Sequence, residues 1–241
     1  MSRPAAGSLA LTLAVLAACS GRADRPADGP PDRPADDTAT AQMTGWRSLF
    51  DGRTLDGWRG FRSDTAPAGW VVREGILARI GPGGDIMSED QFGDFELELE
   101  WRISEGGNSG IMYRVTEEAG APYETGPEMQ VLDDERHADG QSQLTSAGSL
   151  FGLYPAPRGA VRPAGEWNEA RIVADSTHIE HWLNGQKVVE TEIGTGEWDA
   201  KIADSKFAAW PGFAKAPAGH IVLQDHGDVV EYRNIRIREL P

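Results

Sequence analysis

An amide and an imidazole stand at alternating positions near the end of the chain, in a stretch with the pattern of a β-strand. Because side chains alternate across a strand, Gln224 and His226 share one face, and Ile221 and Leu223 share the other. An imidazole titrates near neutral pH and serves as a general acid or base. An amide binds a hydroxyl group. The alternative is a half-buried strand whose polar face meets solvent, which is the norm in antiparallel sheets.

Two other segments interleave polar side chains with core residues. A glycine-rich turn opens a strand in which Asn108 and Arg114 are an even number of positions apart, so their side chains are expected on the same face. In the following strand Glu128 and Gln130 point the same way, and Asp133 comes directly after them. Ionisable groups beside amides on one face are typical of a site that moves protons on a polar ligand. For either strand alone, a solvated polar face explains the pattern equally well.

Two irregular segments hold further candidates. Trp210 and Phe213 lie in an aromatic loop broken by Gly and Pro. Their rings are suited to stacking on the apolar face of a sugar, and equally to capping the core. The polar loop 133–140 contains several carboxylates and His137, but without regular ligand spacing. We therefore interpret this loop as a surface loop rather than a metal site.

The elements that must position these residues are strands. Apolar and polar residues alternate along the chain and few segments have a helical period, which predicts an all-β fold. We expect an antiparallel β-sandwich of the jelly-roll type that forms one domain over residues 45–241. The clearest strand is 95–103, where apolar residues alternate with three glutamates and Arg102. We interpret the glutamate row as a solvent face paired with cross-strand Arg or Lys, not as paired catalytic carboxylates. Asn184 and Gly185 predict a hairpin turn.

The N-terminal stretch predicts export and a lipid anchor. Arg3 precedes an apolar run at 9–18, which together have the form of a secretory signal, and the run is too short to cross a membrane. Small residues lie directly before Cys19, as in a bacterial lipobox. We therefore predict a lipoprotein signal peptide at 1–18 and lipidation of Cys19. An ordinary signal peptide with an incidental cysteine is the alternative.

The segment after the lipidated cysteine predicts a spacer. Residues 19–44 are rich in Pro, Asp and Ala and offer almost nothing to bury, so we expect a disordered linker. The residue after Cys19 is Ser20, whereas an Asp at this position would favour the inner membrane. We therefore expect an outer-membrane lipoprotein, or otherwise one on a periplasm-facing membrane surface. We expect contact with the membrane through this lipid anchor only.

Charge and cysteine content exclude some partners. The formal net charge is -15, and no cluster of Lys or Arg offsets it. A nucleic acid would be repelled by this charge, so we do not expect one as a partner. Cys19 is the single cysteine, so the mature chain would have neither a disulfide nor a free thiol.

Short blocks along residues 46–240 resemble, in order, the motifs of the 3-keto-disaccharide hydrolase family. Each block is weak by itself, but their ordered series argues against chance. That family, formerly a domain of unknown function, has a concanavalin A/laminin-G-like jelly roll. The segment 80–85 departs from the family pattern, being longer in glycine, at the expected rim of the site. The blocks are 49–58, 108–114, 128–133, 166–168, 182–185, 219–227 and 232–235.

The resemblance implies an enzyme that acts on glycosides whose glucosyl C3 has been oxidised to a ketone. The ketone makes the C2 proton acidic. A base removes this proton, elimination expels the C1 oxygen, and water then adds to the unsaturated sugar, which gives net hydrolysis. The resemblance leaves open whether a divalent cation takes part, and it implies no organic cofactor. The implied partner is a carbohydrate substrate.

The resemblance also implies roles for residues. His226, Glu128 and Asp133 are the candidate acid and base groups. The alternative function is a non-catalytic carbohydrate-binding or laminin-G-like adhesion module, which would use the same face without needing groups that titrate. The candidates for binding the substrate or stabilising its enolate are Asn108, Arg114, Gln130, Lys206, Trp210, Gln224 and Arg233.

Overall fold

The computed structural model describes residues 45–241; the predicted signal peptide, Cys19 and linker lie outside these residues. The described part is built of β-strands, and none of its helices is long and apolar enough to cross a membrane. The strands are β1 (Arg47–Ser48), β2 (Trp58–Gly60), β3 (Trp70–Arg73), β4 (Ile76–Arg79), β5 (Ile86–Phe92), β6 (Phe95–Ile103), β7 (Asn108–Val115), β8 (Glu128–Leu132), β9 (Asn168–Asp175), β10 (His178–Leu183), β11 (Gln186–Glu192), β12 (Gly219–Leu223) and β13 (Val230–Glu239). The helices are α1 (Gly196–Ala203) and the 3-10 helices Pro122–Glu124, Ala138–Gln141 and Lys206–Ala209.

Two antiparallel sheets form the predicted sandwich. The large sheet has the strand order β11-β10-β9-β6-β13-β4-β3, with β1 also paired to β13. The small sheet has the order β2-β5-β12-β7-β8. The chain moves repeatedly from one sheet to the other, as in a jelly roll. The predicted hairpin turn joins β10 to β11, where Asn184 and Gly185 have φ values of 52° and 78°.

The core lies between the sheets and follows the predicted alternation. Every second residue of β6, from Phe95 to Ile103, is buried. The ring of Phe95 meets the ring of Tyr113 in β7 edge to face, with centroids 6.3 Å apart, so the two sheets are in direct contact. Burial of one such large apolar side chain stabilises the fold by about 1.5–3 kcal/mol.

The glutamate row of β6 is neutralised across the sheet, as the sequence predicted. β13 lies beside β6 and presents an arginine opposite each glutamate. These groups therefore belong to an ion-pair ladder on the outer face of the large sheet and not to a catalytic pair. The pairs are Glu96 with Arg238, Glu98 with Arg236, and Glu100 with Arg233.

Candidate active site

A pocket of about 170 Å³ lies on the small sheet, where β7, β8 and the segment after β12 come together. Loops from elsewhere in the chain supply its remaining walls. Its lining residues are Asn108, Tyr123, Glu128, Gln130, Asp139, Phe151, Lys206, Gln224 and His226. The candidates from the sequence that the structure brings together here are Asn108, Glu128, Gln130, Lys206, Gln224 and His226.

The position of the Glu128 carboxyl depends on a glycine in the neighbouring strand. β7 and β8 pair so that Met112 lies opposite Glu128 and Gly110 lies opposite Gln130. The Glu128 side chain passes directly over Gly110, because a Cβ atom at position 110 would lie 2.1 Å from Glu128 Oε1. Any side chain at this position would therefore displace the carboxyl group.

The amides of the pocket present polar atoms that no protein group satisfies. Within residues 45–241, the buried atoms Asn108 Oδ1, Gln130 Nε2, Gln130 Oε1 and Gln224 Oε1 have no hydrogen-bond partner. A buried polar group left unpaired costs about 1–3 kcal/mol. The backbone of Gln224 is fixed, since its N–H donates to Gly110 O (3.0 Å) and its carbonyl accepts from Ser109 Oγ (2.7 Å). The arrangement is therefore suited to a ligand with several hydroxyl groups.

Glu128 is a buried carboxyl whose proton affinity is strongly increased. Its pKa is raised to about 8, mainly by burial. The charge of Lys206 lowers this pKa, whereas the charges of Asp85 and Asp139 contribute to raising it. At neutral pH the group is therefore largely protonated and able to donate a proton. A carboxyl in this state is typical of a general acid.

Lys206 supplies a positive charge to the same pocket. Its Nζ lies 4.3 Å from the centroid of the Phe151 ring and 5.9 Å from that of the Tyr123 ring. Aromatic faces attract an ammonium group without neutralising it. Lys206 also makes no salt bridge within residues 45–241. The pocket thus combines a protonated carboxyl with a cation that is available to a developing negative charge.

The loop that carries His226 is held by a buried ion pair. Arg79 Nε lies 2.7 Å from Asp225 Oδ1, and both side chains are less than a tenth exposed. The Asp225 carboxylate also accepts from the backbone N–H groups of Gly84 and Gly227, each at 3.0 Å. These contacts fix the backbone on both sides of His226, although neither charged side chain of the pair lines the pocket.

Two further ionisable side chains lie near His226. The ring of His137 meets the ring of His226 edge to face, with centroids 6.3 Å apart. Asp85 accepts a hydrogen bond from Asp225 N (2.7 Å). The pKa of Asp85 is raised to about 6, because burial and the charge of Asp225 raise it more than the Asp225 N–H and His226 lower it. Asp85 and His137 are therefore ionisable neighbours of His226.

Comparison with known proteins places the chain in a family. Residues 45–238 match the family model described as a 3-keto-alpha-glucoside-1,2-lyase-like domain. The chain belongs to this family. The predicted resemblance and the predicted all-β sandwich are thereby confirmed, and the lyase-like domain takes up the whole of the described sandwich apart from its last residues.

Relatives of the lyase-like domain agree with this assignment. A 3-keto-disaccharide hydrolase from Bacteroides thetaiotaomicron is 35% identical over 228 residues, which cover 81% of this chain and 79% of the relative. A solved structure of a proposed glycosyl hydrolase from Parabacteroides distasonis superposes with a TM-score of 0.79 at 30% identity, covering 84% of this chain and 97% of that one. A second from the same organism gives a TM-score of 0.65 at 27% identity, covering 81% and 99%. The family and these relatives identify the chain as an enzyme that acts on sugars.

Arg114 lies away from the pocket, although its even spacing from Asn108 predicted that the two side chains share the pocket face. Its guanidinium donates to the backbone carbonyls of Gly93 (2.9 Å) and Ser176 (2.8 Å) and to Asp94 Oδ1 (3.0 Å). These partners are turn residues that join strands of the sandwich. Arg114 therefore holds turns together and does not line the pocket.

A β-bulge explains why parity misplaced Arg114. On β12, Val222 pairs with Met112, but His220 pairs with Val115, so β7 carries one residue more than its partner. Arg114 itself has a φ of 51°. The extra residue changes the alternation, and Met112 and Val115 pack in the same small apolar cluster. A bulge of this kind redirects a side chain and leaves no signal in simple periodicity.

Two other candidates also lie outside the pocket. The carboxylate of Asp133 accepts from Gly106 N (2.7 Å) and Glu135 N (3.1 Å), so it stabilises the turns on either side of the β7 and β8 pair. Arg233 lies in the large sheet, where it pairs with Glu100 and its Cζ lies 4.0 Å from the centroid of the Trp167 ring. The geometry gives neither residue a contact with the pocket.

The two aromatic residues of the loop have different positions, one in the core and one at a cavity. Phe213 is buried and stacks on Phe207 with centroids 4.1 Å apart, so it caps the core. Trp210 is partly exposed and lines a second cavity beside the pocket. Its ring lies 5.4 Å from the ring of Tyr123, which lines the pocket itself.

Three pocket residues were missed by the sequence reasoning. Tyr123, Asp139 and Phe151 all come from segments between strands, where periodicity carries no information. Asp139 belongs to the loop that we interpreted as a plain surface loop, and its Oδ2 lies 3.5 Å from Asn108 Nδ2. The family block that begins at Glu128 ends at Asp133, the first residue of that loop, so the available signal stopped short of Asp139.

The arrangement of potential metal ligands is separate from the pocket. Within residues 45–241, the group with metal-like spacing is His178, Glu180 and Glu190, on β10 and β11 of the large sheet. Lys187 Nζ lies 3.1 Å from Glu180 and 2.6 Å from Glu190. This cluster therefore already has its own internal cation, and we assign it no role in the chemistry of the pocket.

Proposed function

We propose that the protein cleaves glycosides whose glucosyl unit carries a ketone at C3, by C2 deprotonation, elimination and hydration. The observation that carries this proposal is a pocket that joins unpaired amide atoms to a carboxyl of raised pKa and an imidazole. The amides suit sugar hydroxyls, and the ionisable groups suit proton transfer. Membership of the family and the hydrolase relative support the same substrate class.

The proposed reaction needs a base, an acid and a stabilised enolate. The C3 ketone acidifies the C2 proton, and removal of this proton places negative charge on the ketone oxygen. The electron pair then forms the C1–C2 double bond as the C1–O bond breaks, and the departing oxygen takes a proton. Addition of water, with OH to C1 and H to C2, completes a net hydrolysis. The products are a 3-keto sugar and an alcohol.

Each step matches one group in the pocket. His226 accepts the C2 proton, exchanges it with water, and later returns a solvent proton to C2. Glu128, protonated at neutral pH because of its raised pKa, protonates the leaving oxygen and afterwards takes a proton from the attacking water. The ammonium group of Lys206 stabilises the enolate oxygen. Asn108, Gln130 and Gln224 hold the sugar hydroxyls.

The proposal is tested by supplying the purified protein with a 3-keto-disaccharide and with the same disaccharide in its unoxidised form. We expect release of the second sugar from the 3-keto substrate only, since the elimination requires the ketone. Parallel reactions with and without a chelator report metal dependence separately. Binding of both substrates without cleavage of either would instead identify a carbohydrate-binding module.

We also propose that the protein is an exported lipoprotein held to a membrane by lipidated Cys19. The lipobox-like residues before Cys19 and the polar spacer after it support this proposal. The test is Cys19→Ala in the full chain, which should release the protein from the membrane fraction. If the variant remains in that fraction, membrane attachment has another cause.

A further inference from the structure

A cleft of about 710 Å³ lies beside the pocket, and its walls are two loops. One loop runs from Thr116 to Thr125, and the other comprises residues 210–218. The loops are tied together, because Ala214 N donates to Thr125 O (2.8 Å). Within the first loop, Thr116 N donates to Thr125 Oγ1 (3.1 Å). The walls of the cleft are therefore joined by defined hydrogen bonds and are not independent segments.

One aromatic pair separates this cleft from the pocket. Tyr123 lines the pocket and Trp210 lines the cleft, and their ring centroids lie 5.4 Å apart. Glu124, the residue after Tyr123, also lines the cleft. A molecule that leaves the pocket past this pair enters the cleft directly.

The sizes of the two cavities suit a substrate of two parts, one in the pocket and one in the cleft. The pocket has a volume of about 170 Å³, well below the ~300–1,000 Å³ typical of sites that enclose a whole drug-sized ligand. It therefore has room for one sugar ring at most. The cleft, at about 710 Å³, has room for a further ring and for water.

We propose that the cleft binds the leaving group of the substrate and that this leaving group is a second sugar ring. The inference rests on the proposed function. The indole face of Trp210 offers an apolar surface to the C–H face of a pyranose. The carboxylate of Glu118 and the ammonium group of Lys215 line the same cleft, and within residues 45–241 neither side chain makes a hydrogen bond or a salt bridge. They are available to sugar hydroxyls.

The experiment compares two substrates that share the oxidised ring and differ in the leaving group. One is a 3-keto-disaccharide and the other is the methyl 3-keto-glucoside. In Trp210→Ala, we expect the ratio of kcat/KM for the disaccharide to kcat/KM for the methyl glycoside to fall by about 10-fold or more, because stacking of the second ring is lost. In Ala119→Trp, which places an indole in the cleft and leaves the aromatic pair in place, we expect the same direction of change.

The control variant is Trp46→Ala, which removes a partly buried tryptophan under Arg236 on the large sheet. We expect its substrate ratio to equal that of the wild type. An unchanged ratio in Ala119→Trp, with both substrates still cleaved, overturns the subsite, and this holds whether or not Trp210→Ala folds. A wild type that cleaves neither substrate overturns the proposed function, and the subsite with it.

Discussion

Glu128 is a buried carboxyl that the fold holds in its protonated form. Its pKa of about 8 lies above the value of 4.5 that it would have when exposed, because burial disfavours the charged form. The unfolded chain therefore releases this proton between those two values, while the folded chain keeps it. Stability from this group is fully present below about pH 4.5 and is lost as the pH rises through about 8.

This linkage gives a prediction for Glu128→Gln. An amide of nearly the same shape cannot ionise, so the variant should not lose stability over that range. We expect the free energy of unfolding of the variant, relative to wild type, to increase by roughly 2–4 kcal/mol between about pH 5 and pH 8. Urea denaturation at both pH values measures this difference. A difference that does not change with pH would show that Glu128 ionises normally in the fold. The same variant should lose about 10²–10⁴-fold in kcat.

His226 is the second acid or base group of the pocket. His226→Ala should keep the fold, because the loop backbone is held by Asp225 and not by the imidazole. We expect kcat to fall by about 10²–10⁴-fold with little change in KM. The matched control is His178→Ala, since His178 pairs with Glu192 on the distant large sheet. Normal turnover by His226→Ala would show that His226 is not the base and would contradict the roles assigned to His226 and Glu128.

At the scale of the strand pair, Gly110 makes room for the Glu128 carboxyl. A Cβ atom at this position would overlap Oε1 of Glu128, so Gly110→Ala must move the carboxyl or part the strands. We expect kcat/KM to fall by about 10²-fold, since misplacement of a catalytic group by about 1 Å has that effect. The control is Gly196→Ala, where nothing lies within 4 Å of the added atom. Equal activity of the two variants would mean that the position of Glu128 is unimportant.

At the scale of the loop, the ion pair between Arg79 and Asp225 positions Gln224 and His226. Asp225→Asn leaves the buried Arg79 without its counter-charge, which should cost about 3–5 kcal/mol of unfolding free energy. The control is Asp90→Asn, which removes an exposed partner of Arg47 and should cost at most about 1 kcal/mol. Thermal or urea denaturation of both variants measures these values. Equal costs would show that the buried pair does not hold the loop.

At the scale of the whole molecule, the sequence predicts the strands better than it predicts the walls of the site. Alternation in β6 and β8 places core residues correctly, because both strands are regular and each presents one face to the core between the sheets. Asn108, Glu128 and Gln130 reach the pocket by the same logic. A single bulge in β7 ended the alternation and misplaced Arg114.

The loop residues could not be predicted, for a physical reason. Phe151 reaches the pocket because its N–H donates to Glu128 O (3.0 Å), and Leu150 forms a bridge with Met129. Such contacts join residues far apart in sequence and leave no periodic signal. Three-dimensional packing, not local pattern, therefore determines which loop side chains complete the site.

The central claim is that cleavage proceeds through loss of the C2 proton, and deuterium at C2 tests it most directly. The wild type is given a 3-keto-disaccharide in D₂O, and the released 3-keto sugar is analysed at short times by NMR. A sample of the same 3-keto sugar without protein corrects for spontaneous exchange. We predict a deuteron at C2 of the enzymatic product, because hydration returns solvent hydrogen to that carbon. Product that retains its original C2 hydrogen would contradict this elimination with exchange of the C2 proton.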